Sequence, residues 1–417
     1  MRTMKLSSLG TLRNGMNYDK SSAKRGCKII GVADFAGHVF PDYSTLSEID
    51  TSIVSKDDLL KDGDILFVRS NGNKNLVGRT MYIYGITEPI CYSGFCIAFR
   101  PDVTLVCPEY LFYALRAPFC KKQYSYSQQT NITNLSQGVL GAVEVPIPDL
   151  DTQRKLAKIL FALDQKISLN THICSELESM AKTLYDYWFV QFDFPDENGR
   201  PYRASGGEMV WNPQLKREIP KGWEAGTIGQ IGSVISGGTP TTTREDYYCN
   251  HGIAWITPND LSKNEDKMFI SHGERDITQS GLDNSSAVLM PKHSVLLSTR
   301  APIGYLAISS NEICTNQGFK SIVPNAGYHE YFIYYLIKRN VPAIAQQGVG
   351  TTFKEVSKDT LSNFAVPLPP KSLVNNFAEK VTPLCEKRCI LEEENHELKR
   401  VRDWLLPMLM NGQARVE

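Results

Sequence analysis

The side chains in this sequence best placed to do chemistry are amides, guanidiniums and hydroxyls gathered in loop-like stretches. Arg69-Ser70-Asn71-Gly72-Asn73-Lys74-Asn75 leaves a β-type run, with Gly72 permitting a tight approach of backbone to a ligand. Gln128-Gln129-Thr130-Asn131-Ile132-Thr133-Asn134 is a second amide-rich loop. In the C-terminal half, Thr299-Arg300 and Gln346-Gln347-Gly348-Val349-Gly350-Thr351-Thr352-Phe353-Lys354 have the same character, and Thr239, Thr241, Thr242, Thr243 and Arg244 form a polar turn after Gly238. Arg, Lys, Asn and Gln can hydrogen-bond two at a time to a planar base edge, whereas Ser, Thr and backbone amides suit phosphate oxygens. Asn, Gly and Ser also fill ordinary solvated turns, so composition alone leaves both readings open.

Covalent chemistry has no comparable foothold. Adenine methylation needs a polar-Pro-Pro-aromatic loop to hold the base, and neither Asn212-Pro213 nor Pro369-Pro370 completes it. A nucleotide-driven motor needs a Gly-rich phosphate loop ending in Gly-Lys-Ser/Thr, and Ser236-Gly237-Gly238-Thr239 lacks the spacing and the lysine. The acidic clusters of a metal-dependent nuclease are too loose a signature to decide by inspection. The seven His are isolated in sequence, and the ten Cys include no CxxC pair. Cys385 and Cys389 lie four apart without a nearby His, which favours core packing over a metal. The reading is a non-catalytic chain with no metal or cofactor of its own.

Lys+Arg and Asp+Glu cancel at 45 each, so a polyanion would have to be held by local patches or with help from partners. A hydrophobic share of 42% with 22% charged residues suits folded domains, and 417 residues exceed a single core. The opening MRTMKLSSLG lacks the apolar stretch of a signal peptide, and no run reaches membrane-spanning length, so the expected location is cytoplasmic, away from membranes.

The elements that must position these loops are duplicated. Val145-Pro146-Ile147-Pro148 answers Val366-Pro367-Leu368-Pro369 at an offset of 221, which also relates Thr130 to Thr351, Ser136 to Ser357 and Leu140 to Leu361. Asn14-Gly15 pairs with Ser236-Gly237, and Gly31-Val32-Ala33-Asp34 with Thr257-Pro258-Asn259-Asp260. Ile65 to Arg69 pairs with Val295 to Arg300, Arg69 and Arg300 being taken as equivalent across one extra residue. Cys91-Tyr92-Ser93-Gly94-Phe95 pairs with Cys314-Thr315-Asn316-Gln317-Gly318-Phe319.

Each half ends in a heptad. Leu156, Leu160, Leu163, Ile167, Asn170, Cys174, Leu177, Ala181, Leu184 and Trp188 alternate in steps of four and three, as do Phe377, Val381, Leu384, Arg388, Leu391, Asn395, Leu398, Arg402, Leu405 and Leu409. Asn170 and Asn395 are read as equivalent polar seam positions that fix pairing geometry. A segment of about 36 residues would span roughly 54 Å, long enough for a rigid spacer. Two amphipathic helices, each packed on its own domain, are the competing reading. A kink or restart is expected near Pro383, and Pro407 also interrupts the pattern. In the globular parts, Glu109 to Leu115 and Tyr331 to Ile337 look like buried helices among short strands, while residues 191 to 222 have the Pro and Gly content of a linker.

Taken together these segments resemble the specificity subunits of type I restriction-modification systems. The resemblance rests on Val-Pro-[Ile/Leu]-Pro leading twice into a long helix, on Gln153 to Ile167, on Arg402-Asp403-Trp404-Leu405-Leu406-Pro407-Met408-Leu409-Met410-Asn411-Gly412, and on Ile235-Ser236-Gly237-Gly238-Thr239-Pro240 followed by Trp255 to Leu261. Val374 stands where the first half has Gln153. The resemblance implies an α+β fold with two mixed target recognition domains, joined by two long helices in an antiparallel coiled coil with a pseudo-twofold repeat. The expected boundaries are 1–150 and 223–370 for the recognition domains, 151–190 and 371–412 for the helices, and 191–222 for the linker. It implies double-stranded DNA with a split, asymmetric target as ligand. Two methyltransferase subunits using S-adenosylmethionine, and restriction subunits using ATP and Mg, would be the partners. On this reading Arg69, Asn71, Asn73, Lys74, Gln128, Gln129, Thr130, Asn131, Thr239, Thr242, Arg244, Arg300, Gln347, Thr351, Thr352 and Lys354 are the candidate DNA contacts. The alternatives are a coiled-coil adaptor that binds protein, and a chain that itself modifies or cuts DNA.

Overall fold

β-branched and aromatic runs bounded by Gly, Asn and Pro fold as strands because such side chains pack well on a pleated surface. In the computed structural model, which describes residues 2–19, 26–73, 76–125, 134–264, 267–350 and 354–414, these strands fall into two units. One comprises Met1–Asn170 with Glu394–Glu417, the other Thr171–Glu393.

The first unit contains β1 (Arg2–Lys5), β2 (Gly10–Asn14), β3 (Cys27–Ile30), β4 (Ser47–Ile49), β5 (Ile65–Val68), β6 (Thr80–Tyr82), β7 (Ile90–Tyr92) and β8 (Cys96–Pro101). Helices α1 (Pro108–Arg116), α2 (Pro118–Ser125) and α3 (Gln137–Gly141) follow, then β9 (Glu144–Ile147) and the start of α4 (Leu150–Tyr185). An antiparallel sheet runs in the order β2-β8-β5-β6, β4-β3-β7 form a second sheet with β3 parallel to β7, and β1 pairs with β9. Strand β5 is buried on both faces, which is why it reads as an unbroken apolar run. Ile65 and Phe67 join a core with α1 and α4, while Leu66 and Val68 join a second core. Helix α1 is buried from Tyr110 to Leu115 between these elements.

The second unit contains β10 (Met209–Asn212), β11 (Arg217–Pro220), β12 (Glu224–Thr227), α5 (Ile228–Ile231), β13 (Gly232–Ser236), β14 (Tyr248–Cys249), β15 (Ala254–Ile256) and α6 (Pro258–Ser262). It continues through β16 (Phe269–Ile270), β17 (Asp276–Ile277), α7 (Gln279–Asp283), β18 (Val295–Thr299), β19 (Ile303–Ser309), β20 (Ile313–Thr315) and β21 (Lys320–Pro324). Helices α8 (Glu330–Gln346) and α9 (Lys358–Ser362), strand β22 (Ala365–Leu368) and α10 (Lys371–Met410) complete the chain. The sheet order β13-β21-β18-β19 repeats β2-β8-β5-β6 and gains β16 at its edge. The parallel pair β15-β20 repeats β3-β7, and β12-β22 repeats β1-β9. The duplication seen in sequence is therefore a duplication of topology.

Two local expectations change. Residues 191 to 222, read as a linker, carry the β10–β11 hairpin, with Phe192 and Ile219 buried beside Trp223 and the Arg217 guanidinium 4.8 Å over the Phe192 ring. The Pro and Gly residues there make turns around a packed hairpin rather than a tether. Helix α10 also runs without interruption through Pro383 and Pro407. A proline inside a helix costs about 3 kcal/mol. Here the neighbours of each proline are held by packing, Val381 and Cys385 in the second unit's core and Leu405, Leu406 and Leu409 against the first.

In each unit α4 and α10 pair antiparallel. In the first, the Arg402 guanidinium meets Asp164 at 2.7 Å, and Asn170 Nδ2 donates to Asn395 Oδ1 at 3.1 Å and to Glu394 Oε2 at 2.7 Å. In the second, Cys174 Sγ approaches the Arg388 carbonyl at 3.9 Å and the Tyr185 and Phe377 rings lie 5.9 Å apart. Asn170 and Asn395 are thus direct partners rather than repeat equivalents. They sit 225 apart, one helical turn beyond the 221 offset. Of the seam, Leu156, Leu160, Ile167, Asn170, Leu391 and Asn395 are buried, and Leu163, Leu177, Leu184, Leu384, Leu398 and Leu405 are half-buried. The helices also pack on the globular parts, through Leu156, Ala157 and Leu160 in the first unit and Ala181, Tyr185 and Trp188 in the second.

Candidate nucleic-acid interface

In each unit the same backbone network gathers four chain segments. In the first unit, Gly15 N donates to the Cys96 carbonyl at 3.1 Å and Met16 N to the Tyr92 carbonyl at 3.0 Å. Arg69 N donates to the Phe95 carbonyl at 2.7 Å, and Leu135 N to the Arg69 carbonyl at 2.8 Å. The second unit repeats each bond: Gly237 N to Phe319 at 3.4 Å, Gly238 N to Thr315 at 2.8 Å, Thr299 N to Gly318 at 2.8 Å and Val356 N to Thr299 at 3.1 Å. The repeated glycine in Asn14-Gly15 and Ser236-Gly237 follows from this crossing of chains. A Cβ at Gly15 would sit 2.2 Å from the Ser93 carbonyl, and one at Gly237 would sit 2.0 Å from that of Asn316. Gly31 N and Thr257 N each bond the carboxylate three residues on, Asp34 at 2.7 Å and Asp260 at 2.8 Å, which explains the repeated aspartate.

This network corrects two pairings. Arg69 corresponds to Thr299, and Ser70 to Arg300, because Ser70 bridges to Asn134 as Arg300 bridges to Glu355. Phe95 corresponds to Gly318 and Cys96 to Phe319, since Val68 faces Cys96 as Ser298 faces Phe319. No insertion separates the two turns, so the buried Phe319 is not the counterpart of the exposed Phe95.

The candidate contacts differ in availability. Among the described residues the Arg69 guanidinium makes no hydrogen bond or ion pair, and it leaves the strand end half-buried. Asn71 Oδ1 accepts from Asn73 N at 2.7 Å, an Asx turn that shapes the loop. Arg300 is held by Glu355 at 3.7 Å, and the same carboxylate takes Lys320 Nζ at 3.2 Å. Arg244 forks onto Asp246 at 2.8 Å and lies 4.9 Å over the Tyr247 ring. The Asp246 hydrogen bond pushes the guanidinium further up, while the aspartate is held below its usual range. Thr239 Oγ1 donates to Gln317 Oε1. Thr242, Gln347 and Lys354 are exposed. Lys74, Gln128, Gln129, Thr130, Asn131, Thr351 and Thr352 lie outside the described residues. The network joins Arg69 to the turn bearing Phe95 and brings Thr239 to Gln317, whereas Arg244 belongs to the outer turn near Asp246.

Sequence reasoning missed Phe95 and Asn17 in the first unit's network and Gln317 in the second's, all exposed. An ungapped comparison from Cys91 and Cys314 would have placed Phe95 opposite Gly318. Among the described residues no group of three His, Cys, Asp or Glu is placed to hold a metal, and no described helix is long and apolar enough to cross a membrane.

The family model for the type I restriction modification DNA specificity domain matches residues 1–179 and 220–400. The specificity subunit of the type I restriction enzyme HindI from Haemophilus influenzae is 26% identical over 409 residues, covering 85% of this chain and 87% of that protein. The MjaIX specificity subunit from Methanocaldococcus jannaschii is 39% identical over 165 residues, 38% of each chain. The crystal structure of the S subunit of a type I restriction-modification system from M. genitalium covers 98% of this chain and 95% of its own. Its TM-score of 0.58 at 13% identity shows a shared fold.

Proposed function

We propose that this chain, which belongs to the family of type I restriction-modification specificity subunits, reads one half of a split, asymmetric DNA target with each of its two units. The observation that carries this reading is one backbone network, present twice, that presents different side chains each time. Arg69 and Phe95 stand where the second unit has Thr299 and Gly318. Two identical readers would call for a symmetric target, whereas two readers with unlike donors call for unlike half-sites.

The chain itself supplies recognition and positioning, without a catalytic step. Methyl transfer would come from two methyltransferase subunits using S-adenosylmethionine, and cleavage from restriction subunits using ATP and Mg, in the cytoplasm. Helices α4 and α10, of 36 and 40 residues, correspond to about 54 and 60 Å, and their length would set the gap between half-sites.

Methylation-sensitive sequencing of DNA from cells expressing the complete system tests the reading. The expected result is a motif of two different specified blocks separated by unspecified bases. A continuous or palindromic motif would overturn it. Within such a motif, Arg69→Ala should relax one block only, since losing a bidentate base contact costs about 1–3 kcal/mol at that position.

A further inference from the structure

We propose that Phe95 is a specificity-determining residue of the first unit that reads a thymine through its C5-methyl group, an inference that rests on the function proposed above. Phe95 is 61% exposed, although its type favours burial. Its backbone is pinned: the carbonyl accepts from Arg69 N at 2.7 Å and from Ser70 N at 3.3 Å, and its own N donates to Ser93 Oγ at 3.3 Å. The ring therefore projects from a fixed turn, so little ordering would be lost on contact with DNA.

The surroundings fit a base-reading role. Next to the ring, Gly94 leaves room for the Asn17 side chain, whose Oδ1 lies 2.1 Å from where a Cβ at position 94 would be. The corner thus offers an apolar ring and an exposed amide, and the hydrogen bond from Arg69 N ties Arg69 to the same turn. An aromatic ring makes no directional hydrogen bond with a base edge in the major groove, so it can distinguish bases there only by the thymine methyl. At the matching position the second unit has Gly318, where a Cβ would come 3.0 Å from Asn316 Oδ1 and 3.1 Å from Pro258 Cγ. Gln317, hydrogen-bonded to Thr239, takes the place of Gly94. The same backbone carries a ring at one corner and none at the matching position of the other.

The experiment uses the full chain assembled with its methyltransferase subunits and duplexes carrying the mapped motif. The half-site relaxed by Arg69→Ala is assigned to the first unit, and each of its thymines is replaced singly by deoxyuridine, which removes only the methyl. One replacement should weaken wild-type binding about four-fold, the worth of one buried methyl. The same replacement should have no effect on Phe95→Ala and a retained effect on Phe95→Leu. Because the ring is exposed, Phe95→Ala should unfold at the wild-type temperature, which separates lost contact from lost fold. If wild type binds the split duplex but no deoxyuridine discriminates, or wild type and Phe95→Ala respond alike, the Phe95 assignment falls and the two-reader function stands. A stacking role for the ring would give that same result and also overturns the methyl assignment. If wild type fails to bind any split duplex, the function falls and this inference with it.

Discussion

Replacing Asp164 tests whether buried polar pairing, and not apolar packing alone, joins the helices of the first unit. Asp164 is fully buried on α4; it accepts from Tyr113 Oη of α1 at 2.8 Å and from Arg402 Nη1 of α10 at 2.7 Å, with Arg116 Nη1 at 3.7 Å. Burial pushes the Tyr113 phenol well up, so it remains a donor, and pulls the Arg116 guanidinium down. In Asp164→Ala the buried Tyr113 hydroxyl loses its acceptor, at about 1–3 kcal/mol. Breaking a buried ion pair costs about 3–5 kcal/mol, but Arg402 keeps Asp403 at 2.8 Å and Arg116 Nη1 stands 3.7 Å from Asp164, beyond hydrogen-bond reach, so the charge contribution is discounted. The expected total is about 3–4 kcal/mol, and Asp164→Asn, which keeps an acceptor for Tyr113, should cost about half of that. Urea unfolding of the full chain, with hydrogen exchange read on α1, measures it. A cycle with Arg402→Met should show coupling of about 1–2 kcal/mol. A loss below about 1 kcal/mol for Asp164→Ala, or strict additivity with Arg402→Met, would refute the reasoning.

Three further outcomes follow from the geometry. Burial alone would raise the Glu330 carboxyl, but the ion pair with His329 at 3.0 Å, with His293 at 2.8 Å, holds it below its ordinary value. A depressed folded pKa stabilises above the unfolded value and is lost as pH falls through the folded one. The stability gap between wild type and Glu330→Gln should therefore hold steady from about pH 6 to 5 and shrink below about pH 4; a gap that widens on acidification contradicts it. Replacing both Asn170 and Asn395 by Leu should raise the unfolding temperature, while Asn395→Leu alone should lower it by leaving the Asn170 amide short of a partner; equal shifts in the two variants would show that the pair contributes nothing. Burial pushes the thiols of Cys96, Cys120 and Cys314 up to about 12, so mass spectrometry after iodoacetamide at pH 8 should find them unmodified in the native chain, and early labelling there would contradict their burial.

Much of the scaffold could be read from residue order. A duplicated topology leaves duplicated turn residues, so Asn14-Gly15 and Ser236-Gly237, Asp34 and Asp260, and the two Val-Pro-x-Pro strands carried their own alignment. The heptads marked both long helices, because a seam repeats at helical spacing whatever it packs against. The restart expected as one outcome at Pro383 did not occur because proline propensity is local, whereas the packing of Val381 and Cys385 that sustains α10 is not. The region read as a linker failed similarly, since Pro and Gly mark turns whether or not the residues between them reach a core.

The candidate interface was legible as loops but not as individual contacts. Residue types showed where bidentate donors cluster; only the fold showed that Arg244 and Arg300 already face Asp246 and Glu355 while Arg69 has no side-chain partner among the described residues. A shift of one residue turns a strand side chain to the opposite face, so the pairing of Phe95 with Gly318 and not with buried Phe319 depended on ladder hydrogen bonds. Asp164 meets Arg402 across 238 residues of sequence. Periodic patterns are written in neighbouring residues and survive in the sequence, but which charge is neutralised and which ring is left exposed depends on segments that meet only when the chain has folded.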